Sequence, residues 1–442
     1  MPFAPAPTPP GARPTARHGD DACPGALRLH PAADGALARI RVPAGLLTTR
    51  QATALAHLAA ELGDGCLDLT SRGNIQVRGL APDRGAALAV RLRMAGLLPS
   101  DRHERVRNIA ASPLAGLDGA GHADVQAWAR ELDALLCADP DTARLSGRFL
   151  FGLDDGRGDV AALVPDVTLI AGQDGRTALG YGTGGPALGL AAEDAPRAAV
   201  LAAREFLSAR DGSGVDAWRV TDLPQDHRPR AGALAARLAA EDIGSTPLPR
   251  TSPSLGAPPA PGLVPGPHGA YALSVAAPLG RMTVAQWELL IEAAACDGSG
   301  ELRVTPWRGI VLPGLRAAAA PARLAALADA GFVTSEASPW HGAGACAGRP
   351  GCAKSLADVR TDAAAALSGR SGGGLPVYWS GCERRCGHPG GGWVDVLATG
   401  DGYRVTVRPV PDGADGSGGP AGPEVVAPGR ELADAVAAAR TA

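Results

Sequence analysis

From about residue 40 the apolar positions change period twice, and the change predicts strand, helix, strand. Ile40–Val42 reads as a short strand. Thr48 stands where a helix N-cap belongs, with a helix expected to about Leu62. Cys66–Thr70 and Asn74–Val77 then alternate apolar and polar, as half-buried strands do. The same order returns later. Residues 41–80 lie on residues 276–315 without a gap. Pro43 falls on Pro278, Gly45 on Gly280, Thr48 on Thr283, Gln51 on Gln286 and Leu55 on Leu290. Thr70 falls on Thr305, Ile75 on Ile310 and Gly79-Leu80 on Gly314-Leu315. A chain with 60 glycines supplies some matches by chance, but not the Thr, Gln and Ile matches in register. One module therefore occurs twice.

The rest divides around these modules. A longer segment with mixed helix and strand patterns follows each, at 83–240 and 319–442. Residues 241–269 are rich in proline and poor in apolar anchors, which predicts an extended linker. Residues 1–17 read as a disordered, Pro-rich leader, and Pro411–Gly429 as a loose stretch before a short Ala-rich helix. The expected fold class is α/β (α+β) in three parts. Modules 18–82 and 270–318 pair into one pseudo-symmetric domain, the other two segments form domains of their own, and a ligand pocket lies where all three meet.

Composition narrows the function. Hydrophobic residues are 45% of 442, enough for large cores, although aromatics are only 4%. A formal charge of −3 argues against a nucleic-acid binder or a polybasic membrane anchor. No apolar run is long enough to span a bilayer, and the N-terminus lacks a signal-peptide core, so a cytoplasmic protein is expected. The eight cysteines are then ligands or core residues rather than disulfides.

Four of them cluster. Cys346 and Cys352 form Cys-x5-Cys, and Cys382 and Cys386 form Cys-x3-Cys, both among glycines and prolines that let backbone approach a bulky group. Four thiolates from two loops suit a [4Fe–4S] cluster, with a zinc site as the alternative. Cys23, Cys66, Cys137 and Cys296 read as small core residues. A second group is basic and polar: Arg72 with Asn74, Arg107 with Asn108, and Arg148. Each sits at the edge of an expected strand, where an arginine fork can take a carboxylate. Together they suggest a polyanion pocket, with the two asparagines inside it. His388, two residues past Cys386, could ligate iron, donate a proton, or simply pack in its loop. Lys354, the sole lysine, either balances thiolate charge or is an exposed surface residue.

The cysteine pattern, the duplicated module and the run Leu69-Thr70-Ser71-Arg72-Gly73-Asn74-Ile75-Gln76 resemble the sulfite/nitrite reductase superfamily. The resemblance covers about residues 20–240 and 270–405. It implies duplicated ferredoxin-like half-modules and a cluster held by the four cysteines. It also implies that Cys386 would bridge that cluster to a sirohaem iron. Within the superfamily the chain most resembles the precorrin-3B synthase branch. The stretches that carry this are Cys23-Pro24-Gly25, Phe151-Gly152-Leu153-Asp154-Asp155-Gly156, Thr305-Pro306-Trp307-Arg308-Gly309, Ser380-Gly381-Cys382 and Gly387-His388-Pro389. That branch implies O2-dependent hydroxylation of precorrin-3A with lactone formation, in aerobic cobalamin synthesis. It also implies a mononuclear non-haem iron and an electron-donating reductase or ferredoxin. Leu150 supports this choice, because the reductases keep a second cation there. Two alternatives stand: a sirohaem-dependent sulfite or nitrite reductase, and a non-catalytic zinc-stapled protein that binds tetrapyrroles.

Overall fold

Thr48 and Thr283 each begin a helix by the same device. Each threonine side chain accepts from the backbone N–H of the glutamine three residues on, Gln51 or Gln286, at 3.2 Å. That glutamine reaches back to the threonine N–H at 3.0 and 2.9 Å. These capping boxes explain why Thr and Gln repeat in register. The helices they start, Thr49–Leu62 and Val284–Cys296, pack on one another. Trp287 is fully buried between them and donates its indole N–H to the Ala52 carbonyl at 2.9 Å.

The computed structural model describes residues 24–184, 186–249, 255–370, 372–409 and 425–441. The leader 1–17, Cys23 and most of the stretch 411–429 lie outside the described residues. Each module builds a five-stranded sheet, and each sheet borrows a strand. The first runs His30–Ala32, Gly35–Ile40, Ile75–Leu80, Cys66–Leu69 and then Arg281–Thr283 from the second module. The second runs Gly262–Pro265, Ala270–Ala276, Gly309–Arg316, Glu301–Val304 and then Leu46–Thr48 from the first. The borrowed strands are antiparallel and symmetry-matched, with Thr283 opposite Cys66 and Thr48 opposite Glu301. One apolar core runs through both modules.

Two expectations change. The strand expected at Ile40–Val42 is Gly35–Ile40, and the chain turns at Pro43–Gly45 instead of continuing. The stretch read as a linker, 241–269, holds two edge strands, Ser245–Pro247 and Gly262–Pro265. Proline lacks an N–H and is tolerated where a strand has only one partner.

The duplication extends past the modules. In the first half, Ile109–Ala111, Phe151–Asp154 and Val167–Ala171 are parallel neighbours. Arg176–Tyr181, Pro186–Ala191 and Ser245–Pro247 continue that sheet antiparallel. In the second half, Ala343–Ala345, Val377–Ser380 and Trp393–Ala398 are parallel, and Tyr403–Arg408 and Val425–Val426 follow antiparallel. Each sheet has its own apolar core with helices packed on it. Among the described residues no helix is long and apolar enough to cross a membrane.

The matched capping boxes give a paired prediction. Thr48→Ala and Thr283→Ala should each lower stability by about 1 kcal/mol, with similar costs, in denaturant unfolding. A cost at only one site would break the equivalence.

Candidate functional site

The parallel pairing of Ala343–Ala345 with Val377–Ser380 brings the two cysteine pairs together. Cys346 leaves the end of the first strand, and Cys382 and Cys386 follow the second. The Cys346 N–H donates to the Trp379 carbonyl at 3.0 Å, and the Gly381 N–H donates to the Cys346 Sγ at 3.2 Å. Burial pushes the Cys386 thiol up. Arg384 pulls it down, and Cys382, Cys346 and Cys352 push it up again, so the other three cysteines lie near enough to act on Cys386. Yet among the described residues no three of these sulfurs lie within 4.8 Å of one another. A single zinc ion with bonds of about 2.3 Å holds its sulfurs about 4 Å apart. This cage is wider and fits a polynuclear cluster better.

Donors from other parts of the chain clamp the cage backbone. Tyr378 Oη donates to the Cys386 carbonyl at 2.6 Å, and its phenol is pushed up to about 12, chiefly by burial. Arg308 Nη2 donates to the Gly387 carbonyl at 2.7 Å. Arg360 Nε donates to the Cys346 carbonyl at 3.2 Å, and Asp68 holds its other edge at 2.8 Å. Arg78, buried in the first module, donates to the Gly351 carbonyl at 2.7 Å while paired with Asp34. His388 is exposed and stacks on Trp393 with ring centroids 5.2 Å apart. Its Nδ1 lies 2.8 Å from the Pro389 carbonyl. Lys354 is exposed.

The basic group is assembled in part. Asn74 accepts from the Val42 N–H and donates to Asn108 Oδ1 at 3.0 Å. Asn108 in turn donates to the Phe149 carbonyl at 3.1 Å. Arg72 Nη1 donates to the Arg148 carbonyl at 3.0 Å, and the Arg148 guanidinium lies 4.5 Å from the centre of the Trp218 ring. Arg72, Asn74, Asn108 and Arg148 therefore meet. The asparagines are buried rivets between strand ends, while Arg72 is half-buried and Arg148 exposed. Arg107 has a partner of its own. It is 4% exposed, forks onto Asp133 at 2.6 and 2.7 Å, and also donates to the Leu97 carbonyl. Its charge is paired inside the fold, on the wall of a cavity that Arg41, Arg130 and Asp133 also line. Arg41 takes the place expected of it, donating to Asn108 Oδ1 at 3.2 Å and the Gly147 carbonyl at 2.9 Å. Its signal was available: it too follows a strand end.

Leu150 is buried in a small apolar cluster with Ala110 and Val160, and Trp307 packs against it. Trp307 and Arg308 are adjacent, so one turn of the second module touches both the basic region and the cysteine cage.

The comparisons with known proteins fit this layout. Residues 30–110 and 264–330 match the Nitrite/Sulfite reductase ferredoxin-like half domain. These two segments, which hold the duplicated modules, are similar to that half domain. It is 28% identical to the ferredoxin–nitrite reductase of Synechococcus elongatus, over 80% of this chain and 74% of that protein. It is 27% identical to a precorrin-3B synthase of a Sinorhizobium species, over 89% of this chain and 83% of that protein. The solved structure of the NirA protein of Mycobacterium tuberculosis shares the fold, with a TM-score of 0.68 and 19% identity, covering 85% of this chain and 74% of that one. A ferredoxin–nitrite reductase is an oxidoreductase by name.

The half domains frame one further cluster. Asp154, Asp155 and Asp159 are fully buried, with one carboxylate oxygen from each within 4.8 Å of the others. They do not fit a mononuclear iron. Asp154 already accepts the N–H groups of Gly156, Gly158, Val160 and Ala161. Asp155 is forked by Arg157. Asp159 alone keeps a buried oxygen without a partner. Its other oxygen accepts from Ser112 and the Val160 N–H, and burial pushes its carboxyl up to about 7.

A carboxyl raised on folding binds protons more tightly in the folded chain, so its ionisation costs stability as pH rises from about 4 to about 7. Asp159→Asn keeps the acceptor for Ser112 and removes that cost. The variant should exceed the parent in stability at pH 8 by on the order of 2–4 kcal/mol, with the gap closing toward pH 4. Denaturant unfolding at both pH values measures it, and a gap that does not depend on pH would contradict the buried acid.

Proposed function

We propose that the chain binds a [4Fe–4S] cluster on Cys346, Cys352, Cys382 and Cys386 and hydroxylates the tetrapyrrole precorrin-3A with dioxygen. The convergence of the four thiols, spaced too widely for one zinc ion, supports the cluster. One oxygen atom enters the meso carbon between rings A and D as a hydroxyl, and a ring A acetate closes to the lactone. The other oxygen leaves as water, taking two protons and two electrons from an external reductase or ferredoxin. When bound, the cluster supplies one-electron transfer.

The protein's own groups position the substrate. Arg72 and Arg148, at the edge of the asparagine network, take acetate and propionate carboxylates through charge-assisted forks. Trp307, half-buried against the Leu150 cluster, gives an apolar wall, suited to a macrocycle face and to keeping water out. Asn74, Asn108 and Arg41 hold the strand ends that carry the two arginines. No set of donors described above suits a separate iron, so no step is assigned to one.

The single observation that favours hydroxylation over sulfite or nitrite reduction is Leu150. Stabilising a small anion needs converging cations, yet Leu150 is buried in an apolar cluster that Trp307 packs against. The reductase reading keeps one support, the similarity to a ferredoxin–nitrite reductase over 80% of this chain.

Two outcomes are expected. Anaerobically purified protein should show a broad thiolate-to-iron charge-transfer band with iron and sulfide in equal amounts. Replacing any one of the four cysteines with Ala should strip or degrade it, and Cys137→Ala should leave it intact. Retention of the full cluster in Cys346→Ala would refute the ligand set.

The second outcome concerns the reaction. With a chemical reductant, the protein should place labelled oxygen in precorrin-3A. With sirohaem and sulfite it should be slower than a reductase by about 10²–10³, the cost of a missing electrostatic donor. Rapid sulfide release with an unlabelled tetrapyrrole would make it a reductase.

A further inference from the structure

Thr70–Asn74 and Thr305–Gly309 form the same turn. In each, the threonine N–H donates to the carbonyl four residues on, at 2.9 Å. Each threonine Oγ1 accepts the N–H of that same residue, Asn74 at 3.1 Å and Gly309 at 3.0 Å. The fourth residue is left-handed in both: Gly73 at φ 68° and Arg308 at φ 61°. Glycine takes that conformation freely, whereas a long side chain takes it at a cost. The second module accepts the cost with an arginine. The Arg308 guanidinium lies 5.4 Å from the centre of the Tyr378 ring and donates to the Gly387 carbonyl. Three glycines leave it room. A Cβ on Gly280 would collide with the Arg308 Cδ, one on Gly387 would fall 3.1 Å from Nη2, and one on Gly344 would fall 2.9 Å from the Tyr378 ring.

We propose that Arg308 is a positioning residue for the cysteine cage: it fixes the Cys386–Gly387 backbone and holds a positive charge on the carbonyl of the residue after the last cysteine. This rests on the cluster reading above. Tyr378 and Arg308 work as a pair, the phenol on the Cys386 carbonyl and the guanidinium on the next one. A fixed cation beside the cage favours its more negative, reduced state, so it raises the reduction potential. Lysine would keep the charge without the planar fork or the ring stacking.

The test uses the cluster-loaded full chain and three variants. The midpoint potential is read by redox titration, and iron release by reaction with a chelator. Arg308→Gln should shift the potential to more negative values and speed iron release on the order of tenfold, the loss of one charge-assisted hydrogen bond. Arg308→Lys should restore most of the potential while iron release stays fast. Arg308→Gly suits the backbone, so it should melt no lower than the parent yet show the Gln variant's potential. A purely structural role would leave the potential unmoved. Unchanged potential and unchanged release in the Gln and Gly variants would overturn the proposal while leaving the cluster intact. A parent protein without iron and sulfide would overturn the cluster reading itself.

Discussion

Two three-residue strands, each lent by one module to the other's sheet, hold the molecule in a single register. Leu46–Thr48 closes the second sheet and Arg281–Thr283 closes the first. Each ends on the threonine that caps the next helix, so the exchange also sets where both helices begin. The kink ahead of each borrowed strand is equally tight. Ala44-Gly45 and Leu279-Gly280 are all left-handed, and a Cβ on Gly45 would run into the Val304 backbone. With the sheets locked together, the turns Thr70–Asn74 and Thr305–Gly309 have fixed places. Those turns carry Arg72 on one side and Trp307 with Arg308 on the other.

Arginine then ties these parts together. The cage loops carry little regular structure, and their carbonyls need donors. Arg78, Arg308 and Arg360 each reach one such carbonyl from another segment, and two of them are also paired with aspartates. Asp68 receives both Arg281 and Arg360, so it links the borrowed strand to the Cys346 loop. A planar fork can hold a carboxylate and a carbonyl at once, which a lysine ammonium does less well. A chain with only one lysine is consistent with this mode of assembly.

The sequence announced what is local or repeated. The Thr48 cap and the helix end at Leu62 came out as expected because caps and helical period lie within a few residues. The borrowed strands were not legible, because three residues are too few to show a period. The pairing of Arg107 was hidden for a related reason. Its strand-edge position looked like that of Arg72 and Arg148, but its partner Asp133 lies on the helix Val125–Ala138, and only packing brings them together. Leu150 was singled out as a missing charge, but the cluster it forms with Ala110 and Val160, with Trp307 packed on it, joins residues far apart in sequence.

The duplicated halves part company where their matched parallel strands end. Ser112 follows Ile109–Ala111 as Cys346 follows Ala343–Ala345, and each N–H donates to the neighbouring strand at 3.0 Å, to the Leu153 and Trp379 carbonyls. One residue beyond those carbonyls the halves diverge. Asp154 gathers four backbone N–H groups and closes its loop unaided, with Ser112 and Asp159 sealing the space between. Ser380 stands in the matching place, and its buried hydroxyl has no partner. A serine cannot gather four donors as a carboxylate does. The second loop therefore takes its order from outside: arginines on its carbonyls, and the group that its thiolates would hold. The first loop is closed by a carboxylate of its own, and the second is held by side chains that reach it from other segments.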